Sequence, residues 1–373
     1  MKTTHRALVA GAGIAGLTAA TALHDLGWAV DLVERRETLD AIPTGLFIPA
    51  NGMRAFAALG AADALRSRGR EIRRLNVRAV GGGAASVPLD VVWPQVGPSV
   101  AIERETAVRT LQELCPVTVQ WGNAVQALTQ HGKQVSVTLS DGGGREYDLV
   151  VGADGVNSTV RLATWPDAAA RYAGDCWWRG VTACPAALED WNLCLCRDGV
   201  LLAMPIGEDL AYWAAGIYPA LPFDDPVNDR AGRLRARFGD ADGPHAQLLA
   251  QIKDDSRVQF SPAGQVLIDL PVRGRVVLIG DAAHATGPSM AQGASLAAED
   301  VHVLARGLAG PTTDVDVALT QYAARRAPRT RYVHETTALR NQVAAQSAVA
   351  QPTLIQDWPT LSVQSFAALV PPP

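Results

Sequence analysis

The chain has 373 residues, 48% of them hydrophobic and 19% charged, with a formal net charge of −4 and a pI near 6.0. That much apolar sequence buries a sizeable core and excludes a disordered chain. The mildly acidic balance gives no field for nucleic acid or an anionic membrane. Lysine occurs at 2, 133 and 253 and the arginines are scattered. Cysteines stand at 115, 176, 184, 194 and 196 with no CxxC, which predicts reduced, buried thiols and neither a zinc site nor a redox pair. Cys194 and Cys196 alternate as on a strand and share a face.

An apolar run from Ala7 to Ala10 leads into Gly11-Ala12-Gly13-Ile14-Ala15-Gly16. A 3.6-period stretch follows to about Gly27, and a second apolar run from Ala29 ends on Glu34. This reads as strand, glycine turn, helix and strand. Gly11 permits the turn, Gly13 lets a pyrophosphate approach, Gly16 lets helix and strand pack, and Glu34 is placed for a ribose. A secretory signal is the rival reading, with Lys2 and Arg6 as its basic end and Ala20-Thr21-Ala22 as its cleavage site. Three glycines at this spacing and a strand ending in an acid favour the nucleotide turn. The run is shorter than the roughly 20 residues of a membrane span, so a cytoplasmic protein without a membrane segment is expected.

Arg35 to Pro43 reads as a turn, Thr44 to Ile48 as a strand, and Asn51 as the cap of a helix ending near Gly60. Residues 71–92 alternate like a sheet edge, broken at Gly81-Gly82-Gly83. Glu103 to Leu114 is predicted helical, with Ile102, Val108, Leu111 and Leu114 turned to a core. Strands follow at 117–121, 124–129 and 134–139, and then Tyr147 to Val151 after an Asp141–Gly144 turn. That last strand enters Gly152-Ala153-Asp154-Gly155. Between Arg171 and Tyr218 aromatic residues cluster at strand-like spacing, suggesting a second sheet able to roof a pocket. Two helices are expected in 228–252, an extended passage near 257–270, and an apolar strand Arg275 to Ile279 entering Gly280-Asp281-Ala282-Ala283-His284. A helix starts near Gln292, and residues 314–348 are mainly helical before a loose, Pro-rich end.

Three turns that each follow an apolar strand can surround one ligand, because strand ends of a parallel sheet open on one crevice. Taken singly, Asp154-Gly155 is an ordinary turn and Asp281 a helix cap. Together, in this order, with Ser158 and Arg161 after the second and with Pro288, Gln292-Gly293, Glu299-Asp300 and Tyr322 to Arg329 after the third, the chain resembles the single-component FAD-dependent aromatic hydroxylases, the group A flavoprotein monooxygenases. The resemblance covers roughly residues 6–345.

The resemblance implies an α/β fold: a discontinuous Rossmann-like FAD-binding domain (1–70, 101–170 and 271–310), an inserted mixed-sheet substrate domain (71–100 and 171–270), and C-terminal helices with a loose tail (311–373). It implies FAD held by Gly11, Gly13, Ala15, Gly16, Glu34, Arg35, Arg104, Asp154, Gly280, Asp281, Gln292, Gly293 and Ala294, with Asp154 also handling NAD(P)H. Pro288 would lie beside the reactive flavin carbon C4a, and His284 is a second catalytic candidate, weighed against and ranked below a structural hydrogen-bonder. Pro43 and Ala291 stand where relatives often have glycine.

The implied activity is hydroxylation of an aromatic or heteroaromatic small molecule with NADPH or NADH and O2 through a C4a-hydroperoxyflavin. The absence of a second GxGxxG favours transient binding of the reductant. A flavin dehydrogenase, reductase or epoxidase, and a non-catalytic flavin- or substrate-binding protein, are the alternatives; a halogenase is disfavoured without a Trp-x-Trp-x-Ile segment. Substrate candidates are Trp178, Arg179, Met204 and Tyr212, with Trp177 and Trp213 beside them. Tyr212 falls where a urate-oxidising relative uses a tyrosine, but the urate-anchoring arginine is matched by Val200, so a less anionic, more apolar substrate is preferred. A monomer or homodimer is expected, with no metal.

Overall fold

A computed structural model describes residues 5–39, 43–310, 314–345 and 347–373, without the side chains of 347–352 and 354. Lys2 and positions 40–42 of the expected Arg35–Pro43 turn lie outside the described residues.

The organising layer is a six-stranded sheet in the order Val272–Arg273, Val276–Leu278, Leu149–Gly152, Arg6–Ala10, Ala29–Glu34, Val119–Trp121. Its strands are parallel except for the first, which is antiparallel to its neighbour. Leu8, Val9, Leu149, Val150, Val151, Val276 and Val277 are fully buried, as parallel strands covered on both faces must be. Ala10 pairs with Gly152 and Gly152 with Leu278. The three strands therefore stop level with one another, and the chain segments beginning at Gly11, Ala153 and Ile279 leave the sheet side by side.

A second, seven-stranded sheet runs Gln259–Gln265, Arg171–Ala183, Leu210–Ile217, Gly199–Ile206, Trp191–Cys196, Arg74–Ala79, Ala84–Pro88. Its residues alternate between two cores. One face packs Trp178, Trp213 and Cys176 under the helices Arg230–Phe238 and Gly243–Gln251. The other packs Trp177, Met204 and Tyr212 with Phe47, Met290 and Leu296, towards the parallel sheet. The five cysteines are free, with the Cys194 and Cys196 sulfurs 3.8 Å apart on one face.

Several expectations need correction. The helix expected to start at Asn51 begins at Ala50 behind Pro49, and Asn51 is fully buried with its side chain turned to another helix. Leu114 is 42% exposed rather than in the core, because the Arg104–Leu114 helix ends there and its last turn passes the edge of the layer. Residues 62–68, left without an element in the sequence, form a helix. Tyr147 to Val151 is two strands: Gly144–Tyr147 closes an antiparallel hairpin and Leu149–Gly152 enters the parallel sheet.

The tail is not loose. The Ser347–Ala367 helix lays Trp358 flat on Trp191, ring centroids 6.0 Å apart, and Phe366 beside Trp93 at 5.1 Å. Beyond it, Arg54 donates to the Val370 and Pro371 carbonyls (2.7 and 2.9 Å) and Arg329 to Leu369 (2.8 Å). Prolines cannot donate, but their carbonyls accept, which makes a Pro-rich end a good target for buried guanidinium groups. No described helix is long and apolar enough to cross a membrane.

Trp358 is 7% exposed, so Trp358→Ala opens a cavity costing about 3 kcal/mol. Urea unfolding should show that loss; an unchanged midpoint would mean the C-terminal helix adds nothing to the fold.

Candidate active site

The three turns line one cleft, together with Glu34, Arg35, Arg104 and Asp281. Arg36, Thr38, Leu39, Trp121 and Asn157 also line it; nothing in their spacing singles them out. Gly11 adopts φ +102°, and a Cβ there would sit 2.4 Å from the Ala153 carbonyl oxygen. The first and second turns thus touch through a glycine. At Gly16 a Cβ would lie 1.7 Å from the Gly11 carbonyl oxygen, so this glycine lets the helix close on the turn, whereas at Gly13 a Cβ would meet nothing within 4 Å. Gly13 is the position where a side chain would fill the cleft instead of the protein.

Glu34 accepts from the Ala12 and Arg36 amides at 2.9 and 3.1 Å. It fixes the glycine turn and keeps carboxylate lone pairs for a ribose. Asp154 accepts from the Thr159 and Val160 amides (2.7 and 3.2 Å) and from the Ser158 hydroxyl. Its carboxylate is engaged within the turn, and residues 153–157 of the turn line the cleft. Arg161, 1% exposed, donates to Val156 (2.7 Å), Ala168 (2.7 Å) and Ala282 (3.1 Å). It ties the second turn to the third.

The third turn hangs on a buried ionic cluster. Asp300 accepts from the Gly280 amide at 2.8 Å, lies 2.6 Å from His284 Nε2, and accepts from Arg326 Nε at 2.7 Å. Glu299 accepts from Arg326 (2.9 Å), Arg329 (2.6 Å) and Asn51 (2.9 Å). Burial pushes the Asp300 carboxyl up, but the His284 and Arg326 charges and the hydrogen bonds outweigh it and hold the group below its ordinary range. Burial likewise works against the Arg326 cation, and the two carboxylates raise it above its usual value.

Two sequence candidates are held by buried partners. His284 is 4% exposed and committed to Asp300, the kind of structural hydrogen bond ranked above a role as base in the sequence. Gln292 is 1% exposed, with its side-chain oxygen accepting from Asn51 at 2.9 Å, so its amide positions the helix N-terminus instead of facing the cleft. Strand parity corrects a third: Trp178 donates to Asp225 at 2.8 Å and packs under the outer helices, on the face opposite Trp177, as does Trp213.

Arg179 donates to Ser261 at 2.9 Å and stands diagonally across from Tyr212 on the neighbouring strand. Burial raises the Tyr212 phenol, with Arg179 acting against it. Arg104 is lowered by burial and by Arg36, while Asp281 opposes this; an arginine and a carboxylate thus meet at the cleft. Pro288 opens a short 3-10 turn, is exposed, and is followed by Ala291 at φ +50°. Ala291 holds the left-handed conformation that glycine adopts without strain, a cost of about 1–2 kcal/mol.

Whether these residues fit a dinucleotide is decided by the helix ends. The Ile14–Asp25 and Gly293–Leu308 helices both begin without a side-chain cap and without an acid in the first turn. Asp281 Oδ1 lies 3.8 Å from where a Cβ on Gly293 would be. Uncapped amides and positive dipole ends suit the pyrophosphate of one ligand and the anionic ring of the same ligand when reduced. The fold and the cleft define an FAD-dependent flavoprotein.

Residues 4–168 and 246–337 match the family described as FAD binding domain. The chain is 34% identical to aurachin C monooxygenase/isomerase of Stigmatella aurantiaca, covering 88% of this chain and 87% of that one. It is 33% identical to 2-heptyl-3-hydroxy-4(1H)-quinolone synthase of Pseudomonas aeruginosa, covering 80% and 79%. The crystal structure of Klebsiella pneumoniae HpxO complexed with FAD and uric acid superposes with a TM-score of 0.87 at 24% identity, covering 99% and 96%. The chain belongs to the FAD-dependent aromatic hydroxylases, the flavoprotein monooxygenases. It is an enzyme that uses FAD and NAD(P)H.

Gly13→Ala puts a methyl group into the open point of the cleft, where it meets no protein atom within 4 Å. Purified variant should lose FAD affinity by about tenfold or more, roughly 1.4 kcal/mol, with unchanged circular dichroism. Retained flavin would move the pyrophosphate elsewhere.

Asp300→Asn leaves the Arg326 guanidinium buried beside one carboxylate instead of two, a loss of about 3 kcal/mol. The sign with pH follows from the depressed carboxyl. Its contribution is full above the unfolded value, near 3.9, and is lost as pH falls through the lower folded value. Wild type should therefore destabilise through that acid window more steeply than the variant in denaturant titrations; parallel curves would remove Asp300 from the account.

Proposed function

We propose that the chain oxygenates a neutral, largely apolar aromatic or heteroaromatic ring, of the hydroxyquinoline or quinolone kind, seated between the Pro288 turn and the inner face of the seven-stranded sheet. The observation that carries this reading is the inner face itself. Val200, Met204, Tyr212 and Ala214 are buried there in one apolar cluster with Phe47 and Met290. Val200, where a urate-binding relative places an arginine, is 3% exposed and pairs with Leu195 and Gly216. A multiply anionic ring would meet no cation at that point. One of the relatives above, 33% identical, is named for a quinolone, and that supports the reading.

Bound FAD supplies the redox chemistry, accepting a hydride from NAD(P)H and passing one atom of O2 to the ring. The protein's part is binding, orientation and exclusion of water. Gly11, Gly13, Ala15 and Gly16 form the pyrophosphate turn, Glu34 and Arg35 the ribose side, and Arg104 and Asp281 the nucleotide's middle. The amides of Gly293 and Ala294 open the long helix, and its positive end would stabilise negative charge on bound, reduced FAD. Pro288 has no N–H to offer, and with Ala291 fixed behind it the turn presents a stiff apolar wall that keeps water from the reacting edge. Arg179 and Tyr212 supply the polar contacts that orient the ring.

Holoenzyme with NADH or NADPH should consume O2 about tenfold faster with 4-hydroxyquinoline than without it, and should not respond to urate. Acceleration by urate or benzoates alone would overturn the substrate class.

At Gly45 a Cβ would lie 2.5 Å from Tyr212 Cβ and Cγ. Gly45→Ala therefore displaces that ring and should raise KM about tenfold with flavin content unchanged; an unchanged KM would take Tyr212 out of the pocket wall.

A further inference from the structure

Asp175 is fully buried near the middle of the Arg171–Ala183 strand, and neither the flavin turns nor the substrate wall described above uses it. It touches both. Its Oδ2 accepts from Trp177 Nε1 at 2.6 Å. The Arg179 guanidinium carbon stands 5.9 Å from the Trp177 ring centroid, and Arg179 donates to Ser261 and lies diagonally across from Tyr212 on the neighbouring strand. On its other side, the position a Cβ would take on Gly287 lies 3.0 and 3.3 Å from the two Asp175 oxygens and 3.4 Å from Asn341 Nδ2. Gly287 is the residue before Pro288. Asp175 Oδ1 has no hydrogen-bond partner, and neither has Asn341 Oδ1 or Ser289 Oγ.

Residues 175, 177 and 179 share one face because strand side chains alternate. The series Gly287, Asp175, Trp177, Arg179, Tyr212 is therefore a continuous line of neighbours from the turn that carries Pro288 to the wall that orients the ring. A buried carboxyl with one oxygen unpaired is costly, about 1–3 kcal/mol, and the burial raises its pKa against the pull of Trp177 and Arg179. An apolar residue would fill this place at lower cost, but it could not fix the Trp177 indole.

We propose that Asp175 is a positioning residue for the oxygenation: through Trp177 it sets Arg179 and Tyr212, and through Gly287 it sets the Pro288 turn, so that one side chain fixes the spacing between substrate ring and flavin edge. The inference rests on the substrate seat proposed above. Loss of that spacing changes where the oxygen goes rather than whether the flavin is reduced. Oxygen transfer to the ring requires near-contact geometry, whereas release of hydrogen peroxide from O2 and the two electrons and protons taken from NAD(P)H and water requires none.

The test compares Asp175→Ala, Asp175→Asn, Trp177→Phe and Gly287→Ala as holoenzymes, with 4-hydroxyquinoline as probe. Asp175→Asn keeps an acceptor for the indole and should couple within about twofold of wild type, while the other three should lose about fivefold in product formed per NAD(P)H and release peroxide instead. FAD content should stay unchanged in all four. Hydrogen exchange of the 285–291 segment, read on FAD-bound protein without turnover, should quicken in Asp175→Ala and not in Asp175→Asn.

Coupling at the wild-type level in Asp175→Ala overturns the proposal, as does equal loss in Asp175→Asn and Asp175→Ala. If Asp175→Ala does not fold, Trp177→Phe and Gly287→Ala decide, and normal coupling in both is fatal to it. If wild type itself turns over no quinoline, the substrate reading has failed, and the exchange measurement still decides Asp175: no difference between the Ala and Asn variants rejects it.

Discussion

The buried pairing of Glu299 and Asp300 with Arg326 is the constraint on which the site depends. Removing two carboxylates and a guanidinium from water is expensive, and such a group holds only when each lone pair and proton is met. Here the Gly280 amide, His284, Asn51 and Arg329 complete the set. What results is a cross-brace. One helix carries both acids, a second carries both arginines, and the turn bearing Asp281 is pinned to them through its own backbone. Tyr322 adds a hydrogen bond to the Leu278 carbonyl at 3.0 Å, which ties the same helix to the strand that feeds the turn.

That brace matters because the parallel sheet alone places only the starts of the turns. Its register ends three strands level, which guarantees proximity but not orientation. Orientation comes from short-range devices: Gly11 against the Ala153 carbonyl, Arg161 spanning from Val156 to Ala282, and Asp154 folding its own turn. Each of these is a contact within the protein. The motifs that mark the family are in large part motifs for holding loops still.

This explains what the sequence made legible. Glycine turns after apolar runs are local and periodic, so the Gly11, Asp154 and Gly280 turns, the helix after Gln292 and the shared cleft could all be read from the residues. Strand parity could not, because the aromatic run offered no fixed phase; Trp177 and Trp178 are adjacent, equally buried, and belong to different cores. Asn51, Gln292 and His284 carry polar side chains that look functional, yet their partners lie far away in the chain, at 292 and 299 for Asn51 and at 300 for His284. The docked tail was illegible for the same reason: its partners, Arg54 and Trp191, are more than 150 positions upstream.

The protein's polar inventory also bears on how cofactor and fold depend on each other. Two helices start with uncapped amides, one at Gly13 on the cleft and one beside Asp281, which lines it, a loss of about 1 kcal/mol each relative to a capped start. A dinucleotide with a pyrophosphate and a ring that becomes anionic supplies both missing partners in one binding event. Because the unfolded chain has no such cleft, binding stabilises the native state by an amount that grows with ligand excess, about 2.7 kcal/mol at a hundredfold over Kd. The ionic brace is met by protein groups, whereas no side chain caps the two helix ends. The chain thus divides its stability between a core that stands on its own and a cleft whose order is shared with FAD, and the Pro288 turn lies on the border between them.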